Sequence, residues 1–242
     1  MPKLPAILLV LAALQPNTAG SAPVDAAIVL AIDVSSSVDP ATAILQRDGH
    51  AQALEAPEVI AAIQRGYVGC IAITYFEWAR NHQKRSILPW SRICSARDCR
   101  RAAAAIRLEG ARRGFGRRTS LSFAIRYSGE LLDELPAPKK IIDISANGEN
   151  NDASNITLAR MQVLARGYVI NGIVASGDRA LQRYFAETVI GGPGAFVQSV
   201  SAPGDYPEAI RRKLVQEIGG FSPAISLFDN LSPGAGYPSS LH

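Results

Sequence analysis

In the stretch LAIDVSSSVDP, Leu30 to Pro40, an aspartate and three serines follow directly on an apolar run. Asp33, Ser35 and Ser37 fall at alternate positions, so an extended backbone throws their side chains to one side. One carboxylate and two hydroxyls are hard oxygen donors, suited to Mg²⁺, Mn²⁺ or Ca²⁺ rather than zinc or copper. Three such side chains under-coordinate an ion by themselves. The same residues also read as a helix start. Serines ahead of VDPATAILQRD can satisfy orphan N–H groups, with Asp39 as cap and Pro40 in the first turn.

Donors of this kind need a strand to deliver them and a helix to carry the chain away. Apolar runs bounded by turn residues alternate with longer helical patterns along the chain, which predicts βαβ units. The strands expected are Ala27 to Asp33, Cys70 to Trp78, Ser86 to Trp90, Lys140 to Ser145, Tyr168 to Val174 and Ala195 to Val200. Helices are expected over Ala41 to Leu54, Pro57 to Arg65, Ala96 to Leu108, Leu121 to Leu135, Ala153 to Ala165, Arg179 to Thr188 and Asp205 to Ile218. Only ARNHQKR separates the second and third strands, too little for a crossover, so that pair is an antiparallel hairpin with its second strand at an edge. The fold class is therefore α/β: a doubly wound, mostly parallel sheet of about six strands with one antiparallel edge strand and helices on both faces. In such sheets ligands bind on the rim where the strand C-termini gather.

The 242 residues suit one such domain with appendages, and 48% hydrophobic with 19% charged residues is the balance of a folded chain. A formal charge of +4 is modest. Arg112, Arg113, Arg117 and Arg118 form a basic patch without interleaved aromatics or a nucleic-acid motif, so nucleic acid is not an expected partner. Residues 1–22 read as a secretory signal, with Lys3, the apolar LPAILLVLAAL and the small-residue exit PNTAGSA; cleavage is expected between Thr18 and Pro23. That apolar run is too short to span a bilayer. The mature protein is then exported, periplasmic or extracellular, without stable membrane insertion. The domain is expected over 23–220, and 221–242, rich in Pro, Gly and Ser, as a mobile tail. Cys94 and Cys99 are close enough in sequence for a local disulfide, while Cys70 reads as a small buried hydrophobe. Three cysteines with few histidines near them argue against a zinc site.

From Ala26 to Ile218 the chain resembles the von Willebrand factor type A domain, in which D-x-S-x-S after the first strand begins a metal-ion-dependent adhesion site. DVSSSVD, ITYFEW, DISANGENN and VIGGPGAF together resemble an uncharacterised bacterial family of exported proteins related to that domain. The resemblance implies a threonine before a central helix, and GFGRRTSLSFAI supplies Thr119, with Ser120 as the alternative. It implies an aspartate followed by glycine after the fourth strand, and here the chain departs from it with Asn147 before Gly148. The site loses one negative charge, although an amide oxygen can still ligate or hold a water. Asp143 cannot substitute, because four residues along a strand is roughly 13 Å; as a carboxylate on a central strand it needs a buried partner. Glu77, near the end of the second strand, is either a compensating carboxylate or a solvated strand-end residue. Deamidation at Asn147 would restore an acid.

The resemblance further implies cation-bridged recognition of a protein partner that presents a carboxylate, with Mg²⁺ (or Mn²⁺ or Ca²⁺) as the ion. A metal-free, arginine-rich scaffold for acidic envelope components is the alternative. A metal-assisted hydrolase is the third reading. Against an enzyme, there is no G-x-S-x-G elbow, and His50, His82 and His242 fall in a helix, a hairpin and the tail.

Overall fold

The structure, a computed structural model, describes residues 22–108, 116–174, 177–200 and 202–220. The expected secretory segment (except Ala22), Arg112 and Arg113, and the expected tail lie outside the described residues. Strand β1 (Ala26–Asp33) is buried along its whole length. Ala26, Ile28, Leu30 and Ile32 enter one core, and Ala27, Val29 and Ala31 enter the other. That is the two-residue period of a strand covered on both faces. Each fully buried Ile or Leu contributes about 2 kcal/mol.

The remaining elements follow in chain order: α1 (Pro40–Glu55), α2 (Pro57–Gln64), β2 (Ile71–Trp78), β3 (Lys84–Ile93), α3 (Ala96–Leu108), α4 (Leu121–Asp133), β4 (Lys140–Ala146), α5 (Ile156–Leu164), β5 (Val169–Val174), α6 (Arg179–Tyr184), β6 (Val197–Ser199) and α7 (Tyr206–Gly219). A π-helical turn, Phe185–Val189, continues α6. The six strands lie in the order β3-β2-β1-β4-β5-β6. Of these strand pairs only β2–β3 is antiparallel. Helices α1, α2, α3 and α7 cover one face, and α4, α5 and α6 the other. The fold class is the one the alternation predicts. The sixth strand is shorter than expected, and α5 begins later, at Ile156, because Asn155 caps it by accepting from Leu158 N at 3.0 Å. No helix among the described residues is long and apolar enough to cross a membrane.

The disulfide corrects the sequence reading. Cys70 pairs with Cys94, their Cα atoms 4.2 Å apart, and Cys99 is a free, buried thiol on α3. Antiparallel register is the cause: Ile71 pairs with Ile93, so the residues just outside that pair face each other across the hairpin. Proximity along the chain pointed to Cys99, whose side of α3 is committed to the core.

Asp143 finds the buried partner its position demands. Lys213 on α7 lies 2.7 Å from it and also pairs with Glu217, and all three are at most 2% exposed. Asn171 Nδ2 donates to Glu217 Oε1 at 2.8 Å. Burial, reinforced by the nearby Asp143, pushes the Glu217 carboxyl up to about 7. This group locks α7 onto β4 and β5. It also takes Asp143 out of the rim, since Asp143 pairs with Leu30, three residues below Asp33.

Candidate functional site

β1 ends on the rim at Asp33, whose neighbour in register is Trp78 at the end of β2. Val34 N donates to Trp78 O at 2.9 Å, extending the ladder one residue past the strand. Asp33 then turns the chain with its own carboxylate, as Oδ1 accepts from Ser35 N at 2.8 Å. Helix α1 is capped by Asp39, which accepts from Ala41 N at 2.9 Å and Thr42 N at 3.0 Å. With Pro40 at the first turn, the cap needs no serine. The helix-start reading of this stretch therefore accounts for Asp39 and leaves the serine hydroxyls unexplained.

Those hydroxyls point at one another and at two other loops. Ser35 Oγ lies 3.0 Å from Ser37 Oγ and 3.2 Å from Thr119 Oγ1. Ser37 Oγ donates to Asn147 Oδ1 at 3.0 Å, and Asn147 Nδ2 donates back to Ser37 O at 3.1 Å. Asp33, Ser35, Ser37, Thr119 and Asn147 are thus gathered from three segments that together span more than a hundred residues of chain. Ser120, the alternative to Thr119, points elsewhere and pairs with Ser122 Oγ at 3.2 Å in the interior.

Glu77 is neither a solvated strand end nor part of this group. Its register partner is Ile32, so it faces α1 with the core set of β1, on the opposite side from Asp33. There it is 0% exposed, and its two oxygens are held by Arg47, at 2.5 Å, and Arg85.

Sequence reasoning missed the residues that hold Thr119 in place. Asn151 Oδ1 accepts from Thr119 N at 2.7 Å, and Asn151 N donates to Thr119 O at 3.0 Å. Asn150 Oδ1 accepts from Ser122 N at 3.2 Å, capping α4 in place of Ser120. The signal was present in the amide-rich NGENND after β4, and it is the short polar side chain's habit of bonding nearby backbone that gives it meaning.

The electrostatics centre on Asp33. Its second oxygen, Oδ2, is buried and has no hydrogen-bond partner. Burial pushes this carboxyl up to about 6, against the opposing pull of Ser35 and of the Asn147 backbone amide. A buried acceptor without a donor is costly, and two residues further on begins the cluster of three hydroxyls and an amide oxygen, all of which carry lone pairs. That donor set fits a hard divalent cation. Among the described residues no cluster of three or more His, Cys, Asp or Glu offers a metal cage of another kind.

His50 is buried in α1 with Nδ1 2.7 Å from Gln46 O, and burial lowers its pKa. His82 lies in the turn between β2 and β3, and His242 is outside the described residues.

The architecture is shared with solved structures of low sequence identity. Proximal thread matrix protein 1 from the mussel byssus aligns over 81% of this chain and 49% of its own, at 12% identity and a TM-score of 0.61. A further structure of that protein is described as having a zinc-occupied MIDAS motif. The pilus adhesin SpaC from Lactobacillus rhamnosus GG aligns over 81% of this chain and 30% of its own, at 13% identity and a TM-score of 0.58. A von Willebrand factor type A protein from Catenulispora acidiphila aligns over 82% and 43%, at 15% identity and a TM-score of 0.56. The chain thus spans half or less of the length of these relatives. No curated protein matches the sequence. A family profile matches residues 23–222. The fold is that of a von Willebrand factor type A domain, and the chain belongs to the family described as "Protein of unknown function (DUF1194)".

Proposed function

We propose that this protein is an exported binding module in which Asp33, Ser35, Ser37 and Thr119, with Asn147, hold a divalent cation and so recognise an acidic group on a protein partner. The observation that carries this reading is the buried, partnerless Asp33 Oδ2 at the start of a loop whose serine hydroxyls join a chain of oxygens that no helix cap requires. A bound divalent cation supplies a coordination position that a carboxylate from outside can fill. Asp33 provides the protein's charge, the hydroxyls provide neutral oxygens, and the Ser37–Asn147 pair brings in the third loop. Because Asn147 is neutral, the site carries one negative charge where two are expected. Empty-site affinity is lowered, and an anionic partner is favoured once the ion is in place, so ion and partner bind with positive coupling.

The oxygen donors favour Mg²⁺, Mn²⁺ or Ca²⁺, while the zinc in the mussel protein's site makes Zn²⁺ a necessary comparison. The Cys70–Cys94 disulfide accords with a periplasmic or extracellular home. Calorimetric titration with Mg²⁺, Mn²⁺ and Zn²⁺, with and without acetate, tests the reading. Binding that is lost in Asp33→Ala and tightened by acetate supports it. Equal ion binding by wild type and Asp33→Ala refutes the site, and affinity indifferent to acetate refutes the coupling.

A further inference from the structure

A cleft of about 520 Å³, one residue along the chain from Thr119, is lined by Arg80, Asn81, His82, Gln83, Arg118 and Asp152. It is formed by the turn between β2 and β3 together with the residue that immediately precedes Thr119. The turn is clamped from several sides. Asn81 N donates to Asp152 Oδ2 at 2.9 Å and Gln83 N to Arg80 O at 3.0 Å. Arg126 Nη2 donates to Asn81 Oδ1 at 3.3 Å, and Ser120 N donates to Ala79 O at 2.9 Å. Gly116, at φ +125°, lies so close that a Cβ there would stand 2.4 Å from Gln83 Oε1. Its carbonyl accepts from Ser36 N at 2.9 Å, so the same segment touches the turn and the serine loop. His82 is held at φ 61°, a left-handed conformation that costs a residue with a Cβ, with its ring 5.7 Å from Phe123.

The charges of this cleft are not balanced within the molecule. Arg80 and Arg118 are exposed, and their side chains make no ion pair or hydrogen bond among the described residues. Asp152 is the one carboxylate in the lining, and its Oδ2 already accepts from Asn81. Two backbone donors of the turn, Asn81 N and Gln83 N, are spent within the protein, which leaves the side chains as the main source of charge for a ligand. What remains is a pair of guanidinium forks and an imidazole, which match carboxylates spaced along a chain.

We propose that this cleft binds a second carboxylate of the same partner segment, which makes the ligand a peptide with acidic side chains in close succession. The proposal rests on the cation-site reading, because Arg118 delivers the cleft next to Thr119. Fluorescence anisotropy of a labelled decaglutamate peptide, in Mg²⁺ and over a salt series, tests it. Arg80→Gln combined with Arg118→Gln is expected to weaken binding roughly tenfold and to flatten the salt dependence. Both residues are exposed, so thermal unfolding and the Mg²⁺-induced shift in Tm should match wild type. Unchanged peptide affinity in the double variant overturns the proposal, as does failure of the wild type to bind decaglutamate at low salt. Tighter binding of inorganic polyphosphate than of decaglutamate overturns the peptide assignment. Arginine-dependent binding that needs no Mg²⁺ upholds the cleft and counts against the cation site, so the two ideas fail separately.

Discussion

Replacing Asp33 by asparagine should stabilise the metal-free protein while abolishing its response to cations. The isosteric amide keeps an oxygen for Ser35 N and removes a buried charge. Raising the carboxyl from 3.8 to about 6 means that ionised Asp33 costs the native state roughly 3 kcal/mol at about pH 7.5. The new Nδ2 takes the place of an oxygen that already lacked a partner, which returns about 1 kcal/mol of that gain. The net expectation is about 2 kcal/mol, or a rise in Tm of about 4–8 °C. The sign follows from linkage. The folded pKa lies above the ordinary one, so the native state binds the proton more tightly than the unfolded chain. The penalty is therefore absent below about pH 3.8, grows as pH rises, and is complete above about pH 6. Urea unfolding in a chelating buffer at about pH 7.5 should show the full gap, and at about pH 4 a gap within about 0.5 kcal/mol. With Mg²⁺ in place of chelator, only the wild type should gain stability. A variant less stable than wild type at about pH 7.5 without metal, or a gap that ignores pH, would refute this account of Asp33.

Asn147→Asp adds the missing charge and should raise Mg²⁺ affinity by about tenfold or more while lowering metal-free stability, both measurable by calorimetry and thermal unfolding. Glu77→Gln strands Arg47, which is 4% exposed, and should cost about 3–5 kcal/mol without altering the Mg²⁺-dependent shift; a lost shift in folded protein would put Glu77 back at the site. Cys94→Ser should cost about 3 kcal/mol, as expected for opening a crosslink across 24 residues. Alkylation followed by peptide mass spectrometry should modify Cys99 alone, and only after unfolding, because burial shields the thiol and pushes its pKa up to about 11.

The parts that were readable from the sequence are those governed by local periodicity. The apolar run AAIVLAI, the short ARNHQKR connection and the strand–helix order led to a mostly parallel sheet with one antiparallel edge strand, and the D-x-S-x-S spacing marked the rim. Asp39 and Pro40 were legible as a cap because capping acts within a single helical turn. The errors share one cause, which is that nearness in sequence is a poor guide to pairing across a sheet. Cys94 has Cys99 nearby in the chain but Cys70 opposite in register. Glu77 ends a strand beside Asp33's strand, yet strand parity turns it to the other face and onto Arg47.

By itself, then, the sequence determined which oxygen donors the chain carries and that a strand end would deliver Asp33, whereas the serines, expected on an extended backbone, lie in a turn. Tertiary structure decided which donors meet. It chose Thr119 over Ser120, buried Asp143 against Lys213, and tied Asn147 to Ser37. Side-chain type is written residue by residue, whereas a partner 84 or 110 positions away is set by the packing of β1, α4 and β4 around a common core.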